Sequence, residues 1–389
     1  MSTARELPQS SLAGNALAPR PEAVASGPAA SAGRSSAKEL PNLDVLRAIA
    51  VGLVLADHVS ETVSPHIRVL LHPWDWHLGR LGVLAFFVHT SLVLMQSLER
   101  SHYDGAAMFV SFYVRRVFRI YPLSVLCVVA VLLFHVPRVA WEAAPPVWTG
   151  SDIVSNLLLM QNLTRSPSVL APLWSLPYEL QMYVVLPFLF WLARRWPPLL
   201  VGWLGYAVAV LAGLVQPLIP GASRLSLAQY GPCFLAGVLA FALSKRVEPR
   251  IPSSAWVPFL VGLFAVYVVV AGQLVTVHAP WLAWTFCLVL GLLLPYFRQG
   301  VSRPAKVVAH HVAKYSYGIY LSHMVALWIG FGTPGPASLI AGWFWFIGAL
   351  TVLSVAGYHL VERPLMEAGG RFSRRLCGEP LRGIATRAA

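Results

Sequence analysis

The sequence predicts an all-α polytopic membrane protein of about ten transmembrane helices with both termini cytoplasmic. Three observations predict it: an apolar composition, the recurrence of apolar stretches of spanning length, and the placement of the basic residues between them. Of 389 residues 57% are hydrophobic and only 12% are charged. Soluble domains carry about 25% charged residues, so this chain cannot cover a globular surface with polar groups and takes lipid as its solvent. That excludes a disordered chain, a disulfide framework and a soluble enzyme. The formal charge of +13 invites a nucleic-acid reading. The Arg and Lys residues are scattered between apolar runs, however, so no nucleic-acid partner is expected and they act as topology signals.

Residues 1–40, rich in Ala, Ser, Gly and Pro, have no continuous apolar run and read as a disordered cytoplasmic tail. A transmembrane domain is expected over 41–366 and a basic cytoplasmic tail over 367–389. Stretches near the spanning length of roughly 17–25 residues follow one another from Leu43. They are 43–60, 81–98, 118–136, 177–193, 198–216, 226–243, 256–272, 280–297, 315–332 and 338–360. The apolar but short segment 151–163 is expected to lie re-entrant or in the interface. With both ends inside, only Arg68, Arg80, Arg138, Arg165 and Arg224 fall on the outer side. Every other Lys and Arg except Arg47 is then cytoplasmic, as short loops that retain positive charge require. The four cysteines show neither CxxC nor Cys/His ligand spacing, so no metal site is expected.

Ionisable residues inside an apolar helix are costly and face a protein interior or a watery cavity. The first span, LDVLRAIAVGLVLADHV, carries Asp44, Arg47, Asp57 and His58. Arg47 and His58 are eleven residues apart, about 20° from whole turns and about 16 Å along the axis, so they share a face. Asp57 points about 100° away from His58. In RRVFRIYP, Arg116 and Arg119 are i, i+3 and suit a forked grip on phosphate, with a positive-inside anchor as the plainer reading. The run LWSLPYELQMYVV sets Trp174, Glu179, Gln181 and Tyr183 at the outer end of the fourth span. YSYGIYLSHMVAL sets Tyr317, Tyr320 and His323 in the ninth, and YHLVERPLM ends the tenth with Glu362 and Arg363.

In order, LDxLRAIA followed by His, GVxxFFV (Gly82 to Val88), RRxxRIYP, NLLLxQN (Asn156 to Asn162), WSLxxExQxY, SYGIYLxH and VERP resemble the acyltransferase-3 family of integral-membrane O-acyltransferases. The resemblance runs from about Leu43 to Met366. It implies some ten helices and transfer of an acyl group, commonly acetyl from acetyl-CoA, to a hydroxyl of a surface polysaccharide, peptidoglycan or glycosylated natural product. It also implies a bacterial inner membrane, membrane lipids as neighbours and no permanently bound cofactor. It assigns His58 and Arg47 from the first span, Arg116 and Arg119 from the basic motif and Glu179 from the fourth-span motif. The chain departs from the pattern at His89-Thr90-Ser91, Asp57 and Leu180, and the stand-alone form without an extracytoplasmic hydrolase-like domain is expected.

The catalytic residues expected on this basis are His58 as general base, with Arg47 and Glu179. Arg116, Arg119 and Arg47 are expected to hold acyl-CoA, while Glu179, Trp174, Tyr183 and His323 contact a carbohydrate or lipid-linked glycan acceptor. A transient acyl-histidine is an alternative route. A transporter or flippase of lipid-linked sugars, using the same buried His, Arg and Glu as a proton path, is the rival function.

Overall fold

The structure, a computed structural model, describes residues 40–63, 78–136, 147–273, 280–332 and 335–378. The expected disordered tail up to residue 39, Arg68, Arg138 and the tail beyond 378 lie outside the described residues. Among those described, every regular element is helical, with one isolated bridge between Ile251 and Phe297.

The principal helices are α1 Pro41–Val63, α2 Leu78–Glu99, α3 Gly105–Phe134, α4 Gly150–Leu157, α5 Leu176–Ala193 and α6 Pro198–Val215. They continue as α7 Leu227–Leu243, α8 Trp256–Gln273, α9 Pro280–Leu293, α10 Arg303–Phe331, α11 Leu339–Ala356 and α12 Arg363–Cys377. Each of the ten expected stretches contains one helix. Among the described residues, six helical segments are long and apolar enough to cross a membrane. They are α2, α3, α5, α6 and α8 with their flanking turns, and the continuous run from α11 through α12. α7 and the α9 region are apolar but shorter. α1 and α10 have the length, but Asp44, Arg47 and Asp57 in one and Arg303, Lys306 and Lys314 in the other lower their hydropathy.

Two helices begin well before their apolar stretches. α3 starts at Gly105 rather than near 118, and α10 at Arg303 rather than near 315. In both, the extra turns carry basic residues, half-buried Arg115 and Arg116 in α3 and exposed Arg303 and Lys306 in α10, so the helix continues where hydropathy alone ends it. Segment 151–163 folds as α4 and one further turn, Gln161–Thr164. Thr149 and Asp152 cap α4 reciprocally: the Asp152 backbone N–H donates to Thr149 Oγ1 at 3.2 Å, and Thr149 N–H donates to Asp152 Oδ2 at 3.1 Å. The Thr149 hydroxyl also donates to Asp152 Oδ2 at 2.6 Å, and it, with the Thr149 N–H, holds the exposed Asp152 carboxyl below its ordinary range.

α1 lies between α2 and α10, α2 continues the packing to α7, and α7 also packs on α6 and α9. α11 covers α10, and α12 lies along α3. The contacts are close because small residues sit at the crossings. A Cβ on Gly82 would stand 2.4 Å from the Ala50 carbonyl oxygen, and one on Gly237 2.3 Å from that of Val88. Such small-residue contacts let backbones approach where no hydrophobic force drives helices together in lipid. At the start of α1, Asn42 donates from Nδ2 to the Arg298 carbonyl at 3.0 Å, while Trp256 Nε1–H donates to the Asn42 carbonyl at 3.1 Å. Outward faces of α6, α8 and α11 expose Leu204, Val208, Val261, Val266, Ile340 and Phe344. A surface of that kind would be a liability in water and is the ordinary lipid face of an integral membrane protein.

α11 does not end at its apolar limit. A π-helical turn, Gly357–Glu362, joins it to α12, whose Gly369 and Ser373 are buried against α3. The boundary expected at 366 therefore falls within a packed helix.

Candidate active site

Two small adjoining cavities lie between α1, α2, α3, α5 and α10. They share Arg47, Thr90, Glu179 and Tyr317. The first, of about 90 Å³, adds His89, Arg116, Arg119 and Tyr183. The second, of about 60 Å³, adds Phe86, Ser175, Ser316 and Tyr320. Arg47 comes from the first turns of α1, and α3 presents Arg116 and Arg119 from adjacent turns of one face.

Glu179 is the carboxylate of this site. Tyr183, one turn on, donates its hydroxyl to Glu179 Oε1 at 2.5 Å. Arg119 forms an ion pair with Glu362, which is 1% exposed, and its guanidinium lies 5.4 Å from the centre of the Tyr317 ring. Tyr317 in turn donates to the Ile120 carbonyl at 2.9 Å. The Nε atoms of Arg47 and Arg116 are buried without a hydrogen-bond partner. The wall thus holds two arginines with donor capacity to spare and a third whose charge Glu362 balances.

The histidines form a separate feature. His58 and His323 pack ring to ring, with centroids 4.9 Å apart and planes inclined at 60°. His58 Nδ1 is 2.9 Å from the Val54 carbonyl, and His323 Nδ1 is 2.8 Å from that of Tyr320. A carbonyl only accepts, so both rings carry a proton on Nδ1, which in the neutral imidazole leaves the lone pair on Nε2. His323 is 1% exposed and its Nε2 has no partner. That is the tautomer required of a base or nucleophile acting through Nε2. Asp57 does not orient the ring: its carboxylate packs where a Cβ on Gly79 of α2 would stand.

Neither histidine lines the cavities. Tyr320 links the two features, because it borders the second cavity and its ring centre is 6.1 Å from that of His323. Its hydroxyl donates to the Pro172 carbonyl at 2.9 Å and is 2.7 Å from Ser175 Oγ.

Of the residues expected from sequence, Arg47, Arg116, Arg119, Glu179 and Tyr183 converge on the cavities, while His58 and His323 meet one another beside them. Trp174 does not reach the cavities; it packs with Tyr178 and Tyr230, ring centres 6.1 and 5.7 Å away. Sequence reasoning passed over His89 as a wall residue, although an ionisable group inside FFVHTSLVL satisfies the same burial argument as His58. It also gave Glu362 no partner.

A family model described as an acyltransferase domain, acyltransferase-3, matches residues 40–359. The chain belongs to that family. Among curated acyltransferases, Acyltransferase MdmB of Streptomyces mycarofaciens is 30% identical over 184 residues, 44% of this chain and 45% of that protein. Peptidoglycan O-acetyltransferase OatA of Listeria monocytogenes serovar 1/2a is 26% identical over 326 residues, 75% of this chain and 50% of that protein. The chain thus matches about half the length of each of these relatives. No solved structure matches it. The acyltransferase-3 match takes in the cavities and both histidines, and it ends just before Glu362.

Proposed function

We propose that the chain is a bacterial inner-membrane O-acyltransferase that moves an acyl group, acetyl in the first instance, from acyl-CoA to a hydroxyl of a carbohydrate or glycosylated acceptor. The observation that carries this reading is the histidine pair, each ring held through Nδ1 by a backbone carbonyl, set beside a cavity rich in arginine. Arg116 and Arg47 offer unpartnered Nε–H groups to donor phosphate, and Arg119 joins them once phosphate competes with Glu362. The flexible pantetheine arm then covers the roughly 16 Å along α1 between Arg47 and His58. His58 Nε2 takes the proton of the acceptor hydroxyl as its oxygen attacks the thioester carbonyl. The tetrahedral intermediate expels the CoA thiolate, which takes the proton from the imidazolium, so ester and free thiol leave and the histidine is neutral again. Glu179 and Tyr183 shape the cavity wall along the arm, and His323 shields the far side of His58 from lipid.

Cavities of about 60 and 90 Å³ have room for only a few water molecules. Donor loading therefore requires helices around them to part. Ten spans with both termini cytoplasmic accord with a helix in each of the ten apolar stretches, and with the gathering of basic residues at the end of the bundle where α2 passes into α3.

Acyl transfer by the purified protein, with CoA binding followed in parallel, tests the assignment. His58→Gln is expected to bind acyl-CoA normally and lose about 10²–10⁴-fold in turnover, because an amide cannot take up a proton near neutrality. Near-normal turnover in that variant would move the base to His323. Proton-coupled glycan movement without consumption of acyl-CoA would favour the transporter reading instead.

A further inference from the structure

Resting on the acyl-CoA reading above, we infer that the open vestibule between the ends of α2, α5 and α7 is the seat of the donor's adenosine 3′-phosphate. The vestibule has a volume of about 460 Å³, within the range of roughly 300–1,000 Å³ usual for small-molecule sites. Its floor is aromatic: Phe190 and Phe241 have ring centres 6.2 Å apart, and the Lys245 ammonium lies 5.2 Å over the Phe241 ring. Its rim carries the cations Lys245 and Arg194, with His102 beside them. An aromatic floor whose two rings are inclined at 55°, beneath cationic groups, suits a purine carrying phosphate.

Two carboxylates stand on the same rim and decide what can enter. Lys245 pairs with Glu99, and Arg194 with Asp104. Both pairs are substantially exposed, and exposed pairs hold weakly. A phosphate dianion makes stronger charge-assisted bonds than a single carboxylate, so it displaces them. A neutral sugar has no such advantage.

The vestibule also adjoins the catalytic cavities through shared walls. Leu98 and Ser101 line both the vestibule and a narrow neck that ends on Arg115 and Arg116. Arg116 then lines the cavity that holds Arg47 and Glu179. A donor with its nucleotide in the vestibule places its diphosphate at the arginine neck and its arm in the cavity. A lipid phosphate could use the same cations, but it would need neither the aromatic floor nor the passage inward.

Kinetics with two donors test the inference: acetyl-CoA, and acetyl-4′-phosphopantetheine, which keeps the arm and one phosphate but lacks the adenosine 3′-phosphate. Lys245→Ala and Arg194→Ala are expected to raise KM for acetyl-CoA roughly tenfold relative to the truncated donor, with kcat for each donor retained. Glu99→Gln, which releases Lys245, is expected to lower KM for acetyl-CoA. Equal KM changes for both donors, no change, or a wild type that does not distinguish the donors would overturn the nucleotide seat, and equal changes would point to a lipid headgroup. A wild type that turns over neither donor, yet acylates its acceptor from another source, would instead overturn the acyl-CoA reading itself.

Discussion

Arg119 and Glu362 are 243 residues apart and meet within the bundle, the carboxylate almost fully buried and its Oε2 without a partner. Removing one member of a buried pair strands the other charge, at a cost on the order of 3–5 kcal/mol. Glu362→Gln keeps the shape and loses the charge, so the thermal unfolding midpoint in detergent is expected to fall. Added CoA should then raise that midpoint more in the variant than in the wild type, because phosphate replaces the missing counter-charge. An unchanged midpoint without ligand would show that Arg119 finds another anion and that Glu362 is dispensable to it. Sequence made Arg47 and His58 conspicuous, since charge in an apolar helix stands out by itself. It did not reveal that His58 meets His323 or that Arg119 meets Glu362, because periodicity orients a residue on its own helix and carries no information on which helix lies opposite.

The elements are fixed by close approach as much as by hydropathy. Gly237 of α7 lies against the backbone of α2 beside Val88 and Ser91, with no space for a side chain. Gly237→Val is expected to push α2 and α7 apart and cost about 1–3 kcal/mol or more, read as lost thermal stability and reduced yield of monodisperse protein. Gly262, whose Cβ would meet nothing within 4 Å, is the internal control, and Gly262→Val should be tolerated. A tolerated Gly237→Val would mean that the crossing is looser than the packing indicates. Each stretch picked out by hydropathy contains a helix, but hydropathy missed the true beginnings of α3 and α10, whose basic turns look like loop to an apolar scan. The π-helical turn before α12 was equally hidden. An i to i+5 ladder leaves no compositional mark, yet it sits where Glu362 is turned toward α3.

At the scale of the whole molecule, one end of the bundle gathers Arg100, Arg115, Arg116, Arg119, Arg194, Arg195, Lys245 and Arg246. Reporter fusions after Ala30 and Gly378 are expected to be cytoplasmic, and an external reporter at either site would invert or break the proposed topology. The fold class was legible because lipid constrains composition more severely than water does, whereas the cavity was not, since it is assembled from five helices distant in sequence. Tyr320 gives that assembly a property beyond chemistry. Its ring stands between the charged chamber and the histidines, and its hydroxyl is bound to Ser175 and the Pro172 carbonyl. A chain of water molecules through such charged groups would conduct protons across any membrane that held a proton gradient. A side chain held at both ring and hydroxyl stands there as an insulator, interrupting such a wire.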